Sequence, residues 1–406
     1  MKVRTTLANG TLLLASTLVT LLLVELGFRV TGIGERPQRF SEPIERFDPV
    51  LGWSKRPDIS VTIRTDEYET VETINSRGLR GPEVAIPKPQ GTRRILLLGD
   101  SFLEGQAVSD DEVVARVLED RLRSRADGED DIEVVNAGTV GWSTDQELLF
   151  FREHGVHYEP DVTVLQFYVN DVWWNAQDDY RGNPKPRFVP RDEGSVELVT
   201  GTLSPPEERR SSTAVAGGSA FTRAVRRVSG WLADHSNLYL FARSRLLPRG
   251  GGGGLGSTLG VGPMPVEWRG WWKDPDAETR EAWRVTEALI VALRDEAAVS
   301  GSAFVVFYVP SFWAVHDEAW ERLTRRYDIE EAEWSPVHDA TVLDSICERH
   351  GLDCVIPIDA FREAAGEPGP GGLYYETDVH WTPRGHALAA EILARRLSGL
   401  AAFRSE

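Results

Sequence analysis

The chain has 406 residues, 41% hydrophobic and 27% charged, a globular balance with room for one large domain or one domain with appendages. Its formal charge of −18, with no basic stripe to offset it, argues against nucleic-acid binding, which needs Lys and Arg concentrated on one face.

The first predicted element is a helix. From Thr5 to Val24 there are twenty uncharged residues, densest in "TLLLASTLVTLLLV", preceded by Lys2 and Arg4. At helical rise that run spans roughly 30 Å, about one bilayer core. Basic residues before it and a polar chain after it predict a cytoplasmic N-terminus and an exported body. No small-x-small cleavage site follows, so residues 1–34 are expected to be an uncleaved membrane anchor. Glu25 stands four residues before Arg29, a spacing that pairs the two on one helix face. Residues 35–92, punctuated by Pro and Gly, predict a β-rich or irregular juxtamembrane segment ending in the connector Ile86 to Thr92.

From Arg93 short apolar strands alternate with amphipathic helices. Strands are predicted at Arg94 to Gly99, Ile132 to Ala137, Val162 to Val169, Ala303 to Val309 and Cys354 to Asp359. Helices are predicted at Asp111 to Arg125, Thr144 to Glu153, Ala277 to Val299 and Pro383 to Leu397. Strands this continuously apolar are buried on both faces, and helices between them imply parallel neighbours. The fold class is therefore a three-layer α/β/α, doubly wound parallel sheet over residues 93–400. An insertion at about 173–276 interrupts it, with a helical pair over Ala220 to Leu247 and a Gly-rich loop over Pro248 to Pro265. Cys347 and Cys354 can bridge a helix end to the following strand in an oxidising compartment; in a reducing one they are two free thiols.

Four patches carry candidate chemistry. In "RRILLLGDSF", Ser101 follows the first sheet strand, at the edge where open α/β sheets bind ligands. It reads as a nucleophile or as the cap of the next helix. In "NAGTVGWST", Gly141 can turn a backbone amide toward a developing oxyanion, or simply make a turn. Asn170, in "FYVND", can offer a side-chain amide in the same crevice or form an Asx turn. In "ETDVHWTPRGH", His380 lies in the loop entering the last helix, with Asp378 two residues earlier to orient it. His386 reads as a helix-face packing residue or as one that backs the residues of the site.

This order resembles the SGNH (GDSL-type) hydrolase family, named for a Ser, a Gly, an Asn and a His. The resemblance runs from about Arg93 to Leu400. It implies an SGNH-hydrolase, flavodoxin-like sheet in which Ser101 is the nucleophile and His380 the general base. The Ser101 amide, the Gly141 amide and the Asn170 side chain would form the oxyanion hole, with Asp378 orienting the histidine. Two positions depart from the family pattern: Tyr168 stands where the third block has glycine, and Thr377 where the last block has its Asp. The form "DVHWT" is similar to SGNH-like polysaccharide O-acetyltransferases, including the alginate acetylation proteins.

The implied activity is serine esterase or acyl-transfer chemistry with no metal or cofactor. Trp142, Trp173 and Trp174, near Gly141 and Asn170, are expected to contact substrate, for which an acylated glycan or lipid of the cell envelope is the expectation. Two further readings stand beside it. One is a polysaccharide O-acetyltransferase using the same residues. The other is a catalytically silent, glycan-binding or scaffolding envelope protein, which would hold Ser101 and His380 apart or fill the pocket with Tyr168. The catalytic body is expected on the extracytoplasmic side. Acyl group, acceptor and oligomeric state are not legible.

Overall fold

The computed structural model describes residues 2–31, 38–125, 131–191, 195–205, 232, 236–239 and 264–400; within the first helix it describes only the backbone of residues 2–8, 10, 11, 14 and 31. The expected helical pair and Gly-rich loop of the insertion lie, apart from Leu232, Ser236 to Tyr239, Met264 and Pro265, outside the described residues. The chain divides into two compact units, Met1–Gln38 with Ser211–Gly262, and Arg39–Arg210 with Pro263–Glu406.

The first unit contains helix α1, Lys2–Thr31. Glu25 pairs with Arg29 at 2.8 Å, as their spacing predicts. The same carboxylate accepts hydrogen bonds from the Ser236 hydroxyl and the Asn237 and Leu238 amides at 2.8–3.0 Å. The membrane anchor expected over residues 1–34 is not found: among the described residues no helix is long and apolar enough to cross a membrane.

The second unit holds the predicted sheet. Its strands β1 to β5 come first: Arg39–Phe40, Glu45–Asp48, Gly52–Lys55, Ile59–Arg64 and Glu69–Ile74. Then come β6 (Thr92–Leu98), helices α2 (Ser101–Glu104) and α3 (Val114–Arg125), β7 (Asp131–Asn136) and α4 (Thr144–Glu153). After these follow β8 (Val162–Phe167), α5 (Asn170–Trp174), the short strands β9 to β12 between Asp179 and Leu198, β13 (Ala303–Tyr308) and β14 (Asp353–Val355). The main sheet has the order β14-β13-β8-β6-β7, parallel throughout. Taking its strands in chain order this is 2-1-3-4-5, the flavodoxin-like arrangement, whose strand order reverses between β6 and β8.

The alternation of β6 explains its burial on both faces. Ile95 and Leu97 join one core with Val164, Phe307 and residues of α3 and the C-terminal helix Pro383–Leu397. Leu96 and Leu98 join the other, with residues of α4 and of the helices Ala277–Val299 and His338–His350. Side chains at i and i+2 share a face, so each pair packs a different helical layer. Burying a Leu or Ile side chain fully contributes about 1.5–3 kcal/mol, and all four are at most 2% exposed.

Three helices keep their predicted bounds (Thr144–Glu153, Ala277–Val299, Pro383–Leu397), and α3 starts at Val114 rather than Asp111. The strand expected to run from Cys354 to Asp359 is corrected: it ends at Val355, and Pro357 caps a helix over Ile358–Ala364. Cys347 and Cys354 form a disulfide that ties the end of helix His338–His350 to β14. Residues 39–92 are integral to this unit. The β4–β5 hairpin packs Val61, Ile63, Tyr68 and Ile74 against Ala107 and Tyr375, so an N-terminal segment touches the loop before the last helix.

Candidate active site

Ser101 opens α2 directly beyond β6. The helix is capped by its neighbour: the Asp100 carboxylate accepts the Phe102 amide at 2.9 Å. The capping function is therefore met without Ser101, whose hydroxyl lies 2.8 Å from His380 Nε2. His380 Nδ1 lies 2.5 Å from Asp378 Oδ1, so the tautomer that satisfies both contacts donates from Nδ1 and accepts from the serine at Nε2. Between Asp378 and His380, Val379 adopts φ +60°, a left-handed conformation that β-branched residues rarely take. That turn brings an aspartate only two residues away onto the imidazole.

Electrostatics follow from these contacts. Burial works to depress the His380 imidazolium, but the Asp378 charge and hydrogen bond, with Asp100 beyond, hold its pKa above the ordinary histidine value. Burial likewise works to raise Asp378, and the His380 charge and two hydrogen bonds outweigh it, so its carboxyl lies below the usual range. His386, also in this region, is buried and pushed down to about 3 by desolvation; its Nδ1 accepts the Val114 amide at 3.2 Å.

Asn170 begins α5, across the strand-order reversal from Ser101. Its side-chain NH₂ donates to Asp100 Oδ2 at 3.3 Å, and Gln166 donates to Asp100 Oδ1 at 3.1 Å. The Asn170 contact orients its amide with nitrogen toward the carboxylate, leaving a second N–H on the same nitrogen. Gly141 lies in the loop after β7 with φ +73°, and an added Cβ would fall 2.7 Å from the Tyr180 ring. In the loop from Ala137 to Trp142, every other amide has a partner, while the described residues supply none for Gly141 N–H. Gly138 seats the same loop on α2, where a Cβ would come within 2.5 Å of the Glu104 nitrogen.

The aromatic residues divide. Trp142 and Trp173, expected to contact substrate, are 2% and 8% exposed and serve the interior: the Trp142 indole N–H donates to Trp53 O, and Trp173 lies under the Arg269 guanidinium. Trp174 is half-buried, edge-on to Tyr180, which in turn lies 5.3 Å from Trp53. Tyr180 carries no sequence signal: it reaches Gly141 through β9, Asp179–Tyr180, a two-residue strand with no sequence pattern of its own. Tyr168 is buried, its ring 4.7 Å from Phe102. Trp381, next to His380, is 1% exposed and packs edge-on against Phe102.

Behind the site lies a buried ionic group. Lys185 donates to Ser143 Oγ, Asp145 Oδ1 and Trp174 O at 2.6–3.0 Å. Burial pushes Asp145 up to about 6 against the pull of Lys185, and raises Glu147 and Asp171 well above the carboxylate range.

No family model and no curated protein matches the chain. Forty-five solved chains match its structure. A lipase/acylhydrolase from Enterococcus faecalis superposes with TM-score 0.38 at 12% identity, covering 76% of this chain and 96% of its own. A catalytic mutant of an acetylxylan esterase from Geobacillus stearothermophilus gives TM-score 0.38 at 15% identity, covering 77% and 97%. An alpha/beta hydrolase enzyme from the metagenome of Lake Arreo, Spain, gives TM-score 0.38 at 12% identity, covering 77% and 97%. At this level of superposition neither activity nor substrate carries over from them.

Proposed function

We propose that the protein is a serine esterase or acyl-transfer enzyme in which Ser101 is the nucleophile, His380 the general base and Asp378 the residue that orients and charges the histidine. The observation that carries this reading is the unbroken contact from Ser101 Oγ through His380 to Asp378, with Asp100 relieving the serine of the cap. Ser101 Oγ attacks an ester carbonyl while its proton passes to His380 Nε2. The resulting oxyanion takes hydrogen bonds from the Ser101 and Gly141 amides and the Asn170 side chain. When the intermediate collapses, the ester C–O bond breaks and His380 returns the proton to the departing alkoxide. Water, or a sugar hydroxyl, then attacks the acyl-enzyme by the same steps in reverse order.

An acylated glycan or lipid of the cell envelope is the proposed substrate class. Half-buried Trp174 and Tyr180 beside Gly141 support it, because aromatic faces suit sugar rings and acyl chains alike. The disulfide between Cys347 and Cys354 supports a location outside the reducing cytosol.

The test is hydrolysis of p-nitrophenyl acetate by the wild type, Ser101→Ala and His380→Ala. Activity in the wild type that both substitutions abolish is the expected result. An acceptor-sugar competition then separates esterase from O-acetyltransferase. A folded wild type that neither hydrolyses the ester nor labels with a fluorophosphonate probe would return the protein to the glycan-binding reading.

A further inference from the structure

We propose that Glu67 and Tyr68, at the tip of the β4–β5 hairpin, are positioning residues for Asp378 and His380: Tyr68 holds the Asp378 carboxylate, and Glu67 holds the peptide that carries it. The proposal rests on the assignment of Ser101, His380 and Asp378 above and extends the machinery to a hairpin some 300 positions upstream of the histidine.

The Asp378 carboxylate has two oxygens, and among the described residues each side-chain contact takes one of them. Oδ1 faces His380 Nδ1, and Oδ2 accepts the Tyr68 hydroxyl. The two contacts together fix the carboxylate plane. Glu67 grips the backbone of the same residue: its Oε1 accepts the Glu376 amide at 2.8 Å, and its Oε2 accepts the Thr377 and Asp378 amides at 3.1 and 2.9 Å. Three successive amides are thus anchored immediately before Val379, whose φ of +60° needs a surrounding structure that over-determines it. The hairpin tip is itself fixed. Thr65 Oγ1 accepts the Glu67 and Tyr68 amides at 3.1 Å, and the Tyr68 ring packs 4.9 Å from Tyr375.

The chemistry distinguishes positioning from mere packing. A phenol donating to Asp378 disperses the charge that faces the imidazole. Burial, then the nearby Asp378 charge, drives the Tyr68 phenol above its ordinary range, so it remains a donor wherever the enzyme works. Removing the hydroxyl concentrates the carboxylate charge on His380 and favours the imidazolium. The other groups facing this pair stay in place: Asp100 from the end of β6, Tyr375 beside Tyr68, and His386, neutral, from the C-terminal helix with Arg80 behind it.

The experiment compares full-length wild type, Tyr68→Phe and Glu67→Gln, each checked for an unchanged thermal midpoint. It follows p-nitrophenyl acetate turnover against pH and titrates the His380 ring by NMR with isotope-labelled histidine. Loss of one hydrogen bond to a charged group predicts a fall in kcat of about 10-fold for Tyr68→Phe, with KM little changed. The imidazolium pKa and the acid limb of kcat are expected to move upward together. Glu67→Gln leaves a single carbonyl oxygen where two carboxylate oxygens served three amides, and a similar kcat loss is expected. If Tyr68→Phe fails to fold, the kcat of Glu67→Gln decides. Wild-type kcat and an unmoved His380 titration in the folded variants would overturn the proposal. If the wild type itself is inert to the ester, the nucleophile assignment fails, while the His380 titration still reports whether Tyr68 acts on Asp378.

Discussion

Asp100 determines what Ser101 is free to do. A serine at a strand-to-helix junction ordinarily spends its hydroxyl on the helix amides. Here the preceding aspartate takes that duty and also gathers the Gln166 and Asn170 side chains, so one buried carboxylate both frees the candidate nucleophile and orients a candidate oxyanion donor. The state of His380 then sets the pH dependence. Only the neutral imidazole accepts the serine proton, and Asp378 raises the His380 pKa above the ordinary value, so ester hydrolysis should increase as pH rises through a midpoint above about 6.5. The check is kcat/KM for p-nitrophenyl acetate between about pH 5 and about pH 9. A midpoint clearly below about 6.5 would contradict the ionic contact with Asp378.

At the scale of the element, α2 has four residues, too few to stand alone in water, and it is clasped from both ends. Asp100 holds its first turn. At its other end the buried Arg80 guanidinium donates to the carbonyls of Glu104, Gly105 and Val108, and its Nε reaches Asp110. Arg80→Met keeps the aliphatic bulk and leaves those carbonyls without their donor. Stability should fall by about 3 kcal/mol, since each unsatisfied buried group costs about 1–3 kcal/mol and water recovers part of it. Urea unfolding measures this, and a midpoint equal to wild type would show that α2 does not need the clasp. This clasp marks the limit of what the sequence made legible. The sheet strands and the long helices were readable because local periodicity writes them, and Ser101, His380, Gly141 and Asn170 because each ends a readable strand or precedes a readable helix. Arg80, Glu67 and Tyr68 act on residues 24 to 311 positions away, and no local pattern marks such contacts. The burial of Trp142 and Trp173 is illegible for the opposite reason: proximity in sequence to Gly141 and Asn170 does not disclose which way a ring turns.

At the scale of the molecule, the charge of −18 overstates the charge that the fold carries at moderate pH, because several acids are buried. Asp339, fully buried beneath the Tyr308 hydroxyl at 3.0 Å, is pushed up to about 7 by desolvation. Asp145 is pushed up to about 6, and Glu147 and Asp171 higher than the usual range. Unfolded, such carboxyls ionise near about 4. Between that value and the folded one the native state binds more protons than the unfolded chain, so stability declines as pH rises. His386, pushed down to about 3, and His316 and His338, lowered by desolvation, act in the opposite sense, adding stability as pH rises toward about 6.5, but these three stand against the four acids above and Glu72, and add nothing further above that pH. The thermal midpoint should therefore fall between about pH 5 and about pH 8. Asp339→Asn keeps an acceptor for Tyr308 and removes the ionisation. The substitution should flatten the decline, with the difference between the two proteins changing by on the order of a few kcal/mol over that interval. Identical slopes in wild type and Asp339→Asn would mean that Asp339 ionises in the folded state as it does in water, and that the decline belongs to the acids around Lys185.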